Sequence, residues 1–290
     1  MRKTESLFFD IRGLRYHVRR WPAASSGALK LVLLHGWMDV SASFQFLVDA
    51  LRREWDVYAP DWRGYGLTDW GKSDSYWFPD YLADLDALLN VIVGSSPVNL
   101  VGHSLGGNVA ALYAGVRPAR VAKLVNLEGF GMQATRPEQA PRRYARWLDE
   151  LREPAQLRPY GSFAALADRL QENNKRLSRE RAEFLARHWG REEGGGVVLR
   201  SDPKHKIVNP VLYRYEEVRA CWQQVAAPVL WVDAAESDTL KRLGLDEAQH
   251  AERRAAFRKL QYATIANAGH MLHHDQPEAV ARAIEEFLLA

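Results

Sequence analysis

Apolar runs and amphipathic stretches alternate along this chain from residue 7 onward. Short runs at 7–11 and 14–18, split by Arg12-Gly13, predict an antiparallel hairpin. The nearly unbroken apolar run 29–34 predicts a strand buried on both faces, ending in His35-Gly36-Trp37. Residues 41–53 put Phe44, Leu47, Val48 and Leu51 at helical spacing, with Ser41 as cap. A strand at 55–60 leads into the turn Asp61-Trp62-Arg63-Gly64-Tyr65-Gly66. A helix over 79–93 turns Leu82, Leu85, Leu88, Leu89 and Ile92 inward. The apolar run 98–101 is a further strand, and a helix through Val109, Leu112 and Tyr113 stops near Gly115. Residues 121–127 form another buried strand. Strands alternating with helices predict a mostly parallel sheet covered on both sides, an α/β fold.

This rhythm breaks at Gly129-Phe130-Gly131 and returns at Pro228. Residues 131–221 lack buried-strand runs and read as a largely helical insert, interrupted by Gly194-Gly195-Gly196 as a flexible break. The expected division is therefore a core of 1–130 plus 222–290, with 131–221 as a cap. Beyond it, a strand at 229–233, a charged helix at 246–260, a strand at 261–266 and a closing helix at 276–289 complete the pattern. Within 131–222, Lys and Arg outnumber Asp and Glu by 18 to 13, so the chain's small positive excess belongs to the insert.

A net charge of only +3 gives no reason to expect a nucleic-acid partner. No stretch approaches the roughly 18 apolar residues of a membrane span, and none follows the charged N-terminus as a leader would. The single cysteine, Cys221, fits a reducing compartment, so a cytoplasmic protein is expected, either a monomer or a homodimer.

Between the strand at 98–101 and the next helix stands Gly102-His103-Ser104-Leu105-Gly106-Gly107. A serine on so sharp a strand-to-helix turn needs neighbours two residues away without side chains, and Gly102 and Gly106 supply them. Ser104 is the candidate nucleophile, with the positive end of a helix behind it. A histidine at a strand end, His270, follows the last strand in a Gly-His pair and is the candidate base. The run His273-His274-Asp275 is not expected to hold a metal, because three adjacent side chains cannot all converge on one ion. No metal and no cofactor are expected.

With Ser104, Asp238 and His270 in the order serine, acid, histidine, the sequence resembles the α/β-hydrolases over roughly 7–130 and 222–290. The turn with Asp61, Arg63, Gly64 and Gly66 is similar to the cofactor-free esterase, haloperoxidase and epoxide-hydrolase branch. The His-Gly-Trp opening, with Asp39 and Phe44 beyond it, resembles the serine-hydrolase-like proteins. The resemblance implies an α/β-hydrolase fold with a helical cap and a triad of Ser104, His270 and an acid. Asp238 is the expected acid, although Ala235-Glu236-Ser237-Asp238 lacks the family's glycine. Glu128, where some relatives carry theirs, is the alternative, and Asp233 a weaker one. The implied oxyanion hole is the backbone N–H of Trp37 and of Leu105.

The expected reaction is hydrolysis of a small or medium carboxylic ester, lactone or thioester through an acyl-enzyme. The expected substrate is a small molecule with an apolar acyl or aromatic group, and Met38, Phe130, Trp147 and Trp189 are the candidate pocket residues. Two other readings stay open on the same fold. One is carbon–carbon bond hydrolysis of diketone-type ring-cleavage products, with Arg142, Arg143 and Arg146 as candidate groups for a substrate carboxylate. The other is a non-catalytic or slowly hydrolysing ligand receptor.

Overall fold

A computed structural model describes residues 1–153 and 156–290. Eight strands form one sheet: β1 (Glu5–Ile11), β2 (Leu14–Trp21), β3 (Leu29–Leu34), β4 (Trp55–Pro60), β5 (Val98–His103), β6 (Val121–Leu127), β9 (Val229–Ala234) and β10 (Leu260–Ile265). Their order is β1-β2-β4-β3-β5-β6-β9-β10, with β1 and β2 antiparallel and β3 to β6, β9 and β10 parallel. The strand order reverses between β3 and β5, and in open sheets of this kind ligands bind at that crevice, beyond the carboxyl ends of the strands.

Side chains leave alternate faces of each central strand, so the apolar runs divide between two cores. Val32, Leu34, Leu100 and Trp231 pack with Leu85, Leu88 and Ile92 of α2 (Phe78–Val93) and Val109 of α3 (Leu105–Val116). Leu31, Leu33, Val101 and Val232 pack on the other face with Leu47 of α1 (Gln45–Ala50) and Val280, Ile284 and Phe287 of α11 (Pro277–Leu289). The helix expected over 41–53 is shorter: Ser41–Phe44 is a tight 3₁₀ turn, α1 follows it, and Ser41 caps nothing. Likewise the helix at 246–260 is only α9 (Glu247–Ala255), preceded by the single turn α8 (Thr239–Arg242).

Residues 131–221 add nothing to the main sheet. They hold α4 (Ala140–Arg152), α5 (Phe163–Asn173), α6 (Arg179–Trp189) and α7 (Tyr215–Trp222). They also hold a hairpin, β7 (Gly190–Glu193) with β8 (Gly196–Leu199), which the sequence pattern hides. Gly194 and Gly195 both have positive φ, +59° and +82°, as a two-residue hairpin turn of this hand requires. The glycines read as a flexible break are thus a defined turn. Leu166, Leu170, Leu185 and Val197 form a small core for the insert, joined by Phe46 of α1. Among the described residues, no helix is long and apolar enough to cross a membrane.

The turn after β4 is bound into the fold by its charges. Asp61 is buried and accepts from Ser41 N, Leu67 N and His17 Nδ1. Burial alone would raise its carboxyl, but the His17 hydrogen bond and charge outweigh that and hold it well below the usual carboxylate range. Arg63 meets buried Asp84 of α2 through Nε at 2.5 Å and Nη2 at 2.7 Å, and Tyr16 and Arg12 donate to the same carboxylate. Replacing Asp84 by Ala leaves the buried Arg63 guanidinium with only the partly exposed Asp80 as acidic partner, so urea denaturation is expected to show a loss of about 3 kcal/mol.

Candidate active site

The first requirement is room for α3 to approach the sheet. A Cβ on Gly106 would stand 2.1 Å from the Leu34 carbonyl oxygen, and one on Gly102 would stand 2.4 Å from the Gly106 oxygen. Both contacts are impossible, so only glycine allows the turn. Ser104 takes φ +52° and ψ −115° between them, a strained backbone for a residue with a Cβ. Its N–H donates to Leu127 O at 2.8 Å, tying the turn to β6. Its hydroxyl caps no helix N–H and is free to face the crevice.

His270 lies in the loop between β10 and the short α10 (Leu272–Asp275). Its Nε2 stands 3.1 Å from Ser104 Oγ, and its Nδ1 stands 3.1 Å from Glu128 Oε2. Glu128 follows β6 directly, with φ +56° and a fully buried carboxyl. The turn that points it inward is clamped by Asn126, which accepts from Gly129 N at 2.9 Å and donates to Gly129 O at 2.9 Å. Glu128 also accepts from Ala234 N at 2.8 Å and Ser237 Oγ at 2.5 Å. Every partner of the carboxyl can donate, so Nδ1 carries the imidazole proton and Nε2 is left to accept from the Ser104 hydroxyl.

This geometry corrects the expected acid. Asp238 is at the surface, its side chain 69 % exposed and paired with Arg242 at 2.9 Å. The chain after β9 sends Ser237, not Asp238, toward His270's partner, because the inward place is already filled by Glu128 from the neighbouring strand. Asp233 is turned away as well, accepting from Trp231 Nε1 at 2.8 Å and Tyr262 OH at 2.9 Å.

One positioning residue escaped the sequence reading, although it lies inside the Gly-x-Ser-x-Gly motif. His103 is buried, and its Nε2 meets the His270 carbonyl oxygen at 2.8 Å, which makes Nε2 the protonated nitrogen. Burial, with His270 close by, pushes its pKa well below the usual imidazole value, so it remains a neutral donor to the His270 loop. His35 is neutral for the same main reason: burial takes it to about 4. It accepts from Trp62 N at 2.9 Å and is 2.8 Å from Gly36 O through Nδ1, fixing the turn beyond β3.

That turn brings backbone against the serine. A Cβ on Gly36 would lie 3.3 Å from Ser104 Cβ, and Met38 completes the bend with φ +56°. The Trp37 side chain is 54 % exposed and donates to His205 O of the insert at 3.3 Å. His205 is itself sandwiched between Tyr65 and Tyr76, ring centroids 3.9 and 3.6 Å away. Gly64 leaves the space for this, since a Cβ there would stand 2.2 Å from the Tyr76 hydroxyl.

The four pocket candidates separate. Met38 is half-buried in the turn after Gly36 and packs on the main core. Phe130 is buried against Trp231 and His250, so it is a core residue and not a pocket wall. Trp189 donates to Ser43 Oγ at 3.1 Å, joining insert to core. Trp147 is half-buried on α4. Arg143 bonds Asn209 O and Arg146 bonds Glu150, each within the insert.

Comparison with known proteins agrees with this architecture. The signature of the alpha/beta hydrolase fold matches residues 31–277. The chain belongs to the α/β-hydrolase family, and it is a hydrolase. It is 27 % identical over 267 residues to the serine hydrolase-like protein of Danio rerio, covering 89 % of this chain and 81 % of that one. It is 24 % identical to the esterase YbfF of Escherichia coli, covering 89 % of this chain and 92 % of the relative. Among solved structures, the thioesterase domain from the curacin biosynthetic pathway superposes with a TM-score of 0.87 at 22 % identity, covering 98 % of this chain and 99 % of that one.

The His270 pairing is directly observable. A strongly downfield Nδ1–H proton resonance is expected in wild type and in Asp238→Asn, and its loss or large upfield movement in Glu128→Gln. The opposite pattern would return the acid to Asp238.

Proposed function

We propose that the protein hydrolyses small or medium carboxylic esters, lactones or thioesters through an acyl-enzyme on Ser104, with His270 as base and Glu128 as the orienting acid. The observation that carries this reading is the unbroken line from Ser104 Oγ to His270 to Glu128, with both links at 3.1 Å. His270 Nε2 takes the hydroxyl proton as Ser104 Oγ attacks the carbonyl carbon, and the imidazolium faces the Glu128 carboxylate. The tetrahedral oxyanion forms over the first turn of α3, where Leu105 N–H faces it from one side and Trp37 N–H from the Gly36 turn. His270 then gives its proton to the leaving alkoxide or thiolate. Water, deprotonated by the same nitrogen, attacks the acyl carbon and restores the serine.

Both N–H groups are fixed before substrate arrives, one by the helix and one by the His35-anchored turn. Stabilisation of this kind costs no reorganisation during the reaction. The insert, held to the core by His205 and Trp189 among other contacts, takes the part of a cap in this reading, which expects it to enclose an apolar acyl or aromatic group. A small-molecule substrate and no cofactor complete this reading.

Hydrolysis of p-nitrophenyl esters of increasing acyl length tests it. Wild type is expected to show a rate optimum at one chain length, and Ser104→Ala to lose on the order of 10⁶-fold in kcat. Glu128→Gln is expected to lose on the order of 10³–10⁴-fold, while Asp238→Asn stays within threefold of wild type. Substantial turnover by Ser104→Ala, or equal losses in the two acid variants, would sink the assignment.

A further inference from the structure

Three residues beyond His270 lies a second cluster that the proposed chemistry does not use. Asp39, His273 and His274 are each at most 2 % exposed, and each can offer one ligand atom so that all three lie within 4.8 Å of one another. Asp39 Oδ2, both ring nitrogens of His273 and His274 Nε2 are buried without a hydrogen-bond partner. We propose that Asp39, His273 and His274 bind a single divalent transition-metal cation, with zinc the best match to the donor set.

Buried polar atoms are normally paired, and orphaned ones on three side chains in a single place point to a common partner. One atom from each residue can present a lone pair inward: the carboxylate oxygen and the unprotonated nitrogen of each imidazole. A cation therefore satisfies them together, where a protein donor could reach only one. Two imidazoles and one carboxylate suit zinc and its neighbours, not magnesium or calcium. Asp39 Oδ2 already stands 3.9 Å from His273 Nε2. Zinc bonds of about 2.0–2.2 Å put tetrahedral donors about 3.3–3.6 Å apart, so the three side chains draw together when the ion binds.

The expected obstacle, that three adjacent side chains cannot all converge on one ion, does not apply to this donor set. Asp275 does leave the group, accepting from Gly269 N at 2.9 Å and Asn174 Nδ2 at 2.7 Å. The third donor comes instead from Asp39, on the turn beyond β3. Its other oxygen, Oδ1, is already oriented by Val40 N at 2.8 Å and by Ser43 Oγ, which in turn accepts from Trp189 of the insert. Such outer partners are what a metal-ligating carboxylate needs to hold its direction. The ring of His273 also packs on His103 at 4.5 Å, so an ion here would stiffen the support beneath His270.

The test uses the full chain without a histidine tag, stripped with dipicolinate and titrated with Co²⁺ and then Zn²⁺. One Co²⁺ per chain is expected, with visible ligand-field bands of an N/O site that Zn²⁺ abolishes, and a raised melting temperature. Asp39→Asn and His274→Gln are each expected to weaken binding at least tenfold. Absence of both the bands and the thermal shift in wild type would overturn the proposal, as would unchanged affinity in the two variants. The wild-type titration decides by itself should either variant fail to fold.

Discussion

The approach of α3 to the carboxyl ends of β3 and β5 is the constraint on which the site depends. With any side chain at Gly106, the helix would be forced off the Leu34 carbonyl, and the serine turn could not close. Closure places three groups at once. Ser104 is held in a left-handed backbone, Leu105 N–H starts the helix beside it, and the Gly36 turn is pressed against the serine Cβ. The strain at Ser104 is local, and it is offset by the packing of α3 in the core on one face of the sheet.

The line from Ser104 to His270 to Glu128 is fixed from outside in the same way. Glu128 sits at the end of the strand next to β5, clamped by Asn126 and by donors from β9 and Ser237. His270 comes from the far edge strand and would be loose on its loop without the His103 bond to its carbonyl. A residue inside the Gly-x-Ser-x-Gly motif thus braces the loop that carries His270. The basic insert is joined to this frame by aromatic and histidine contacts, His205 between two tyrosines and Trp189 on Ser43, and by polar links such as Asn174 to Asp275 and Tyr76 to Asp202.

Local pattern carried much of this, and tertiary pairing carried the rest. The alternation of strands and helices, the glycines around Ser104 and the Gly-His pair at 269–270 all act over short distances, so they could be read along the chain. The choice between Glu128 and Asp238 could not, because it depends on which carboxyl the sheet order brings beside His270. Phe130 resembled a pocket aromatic only because nothing local shows that Trp231 and His250 enclose it. The hairpin at 190–199 was hidden by its charged residues, and Asp39 stood only as part of a family-like spacing because nothing local shows that His273 and His274 lie beside it.

The central claim is that Ser104 is an activated nucleophile, and covalent labelling with a fluorophosphonate measures this without knowledge of the substrate. Intact-mass and peptide analysis is expected to show one phosphonyl adduct per chain, on Ser104, formed far more slowly in His270→Ala and Glu128→Gln. An unlabelled wild-type protein, or an adduct on another residue, would contradict the account.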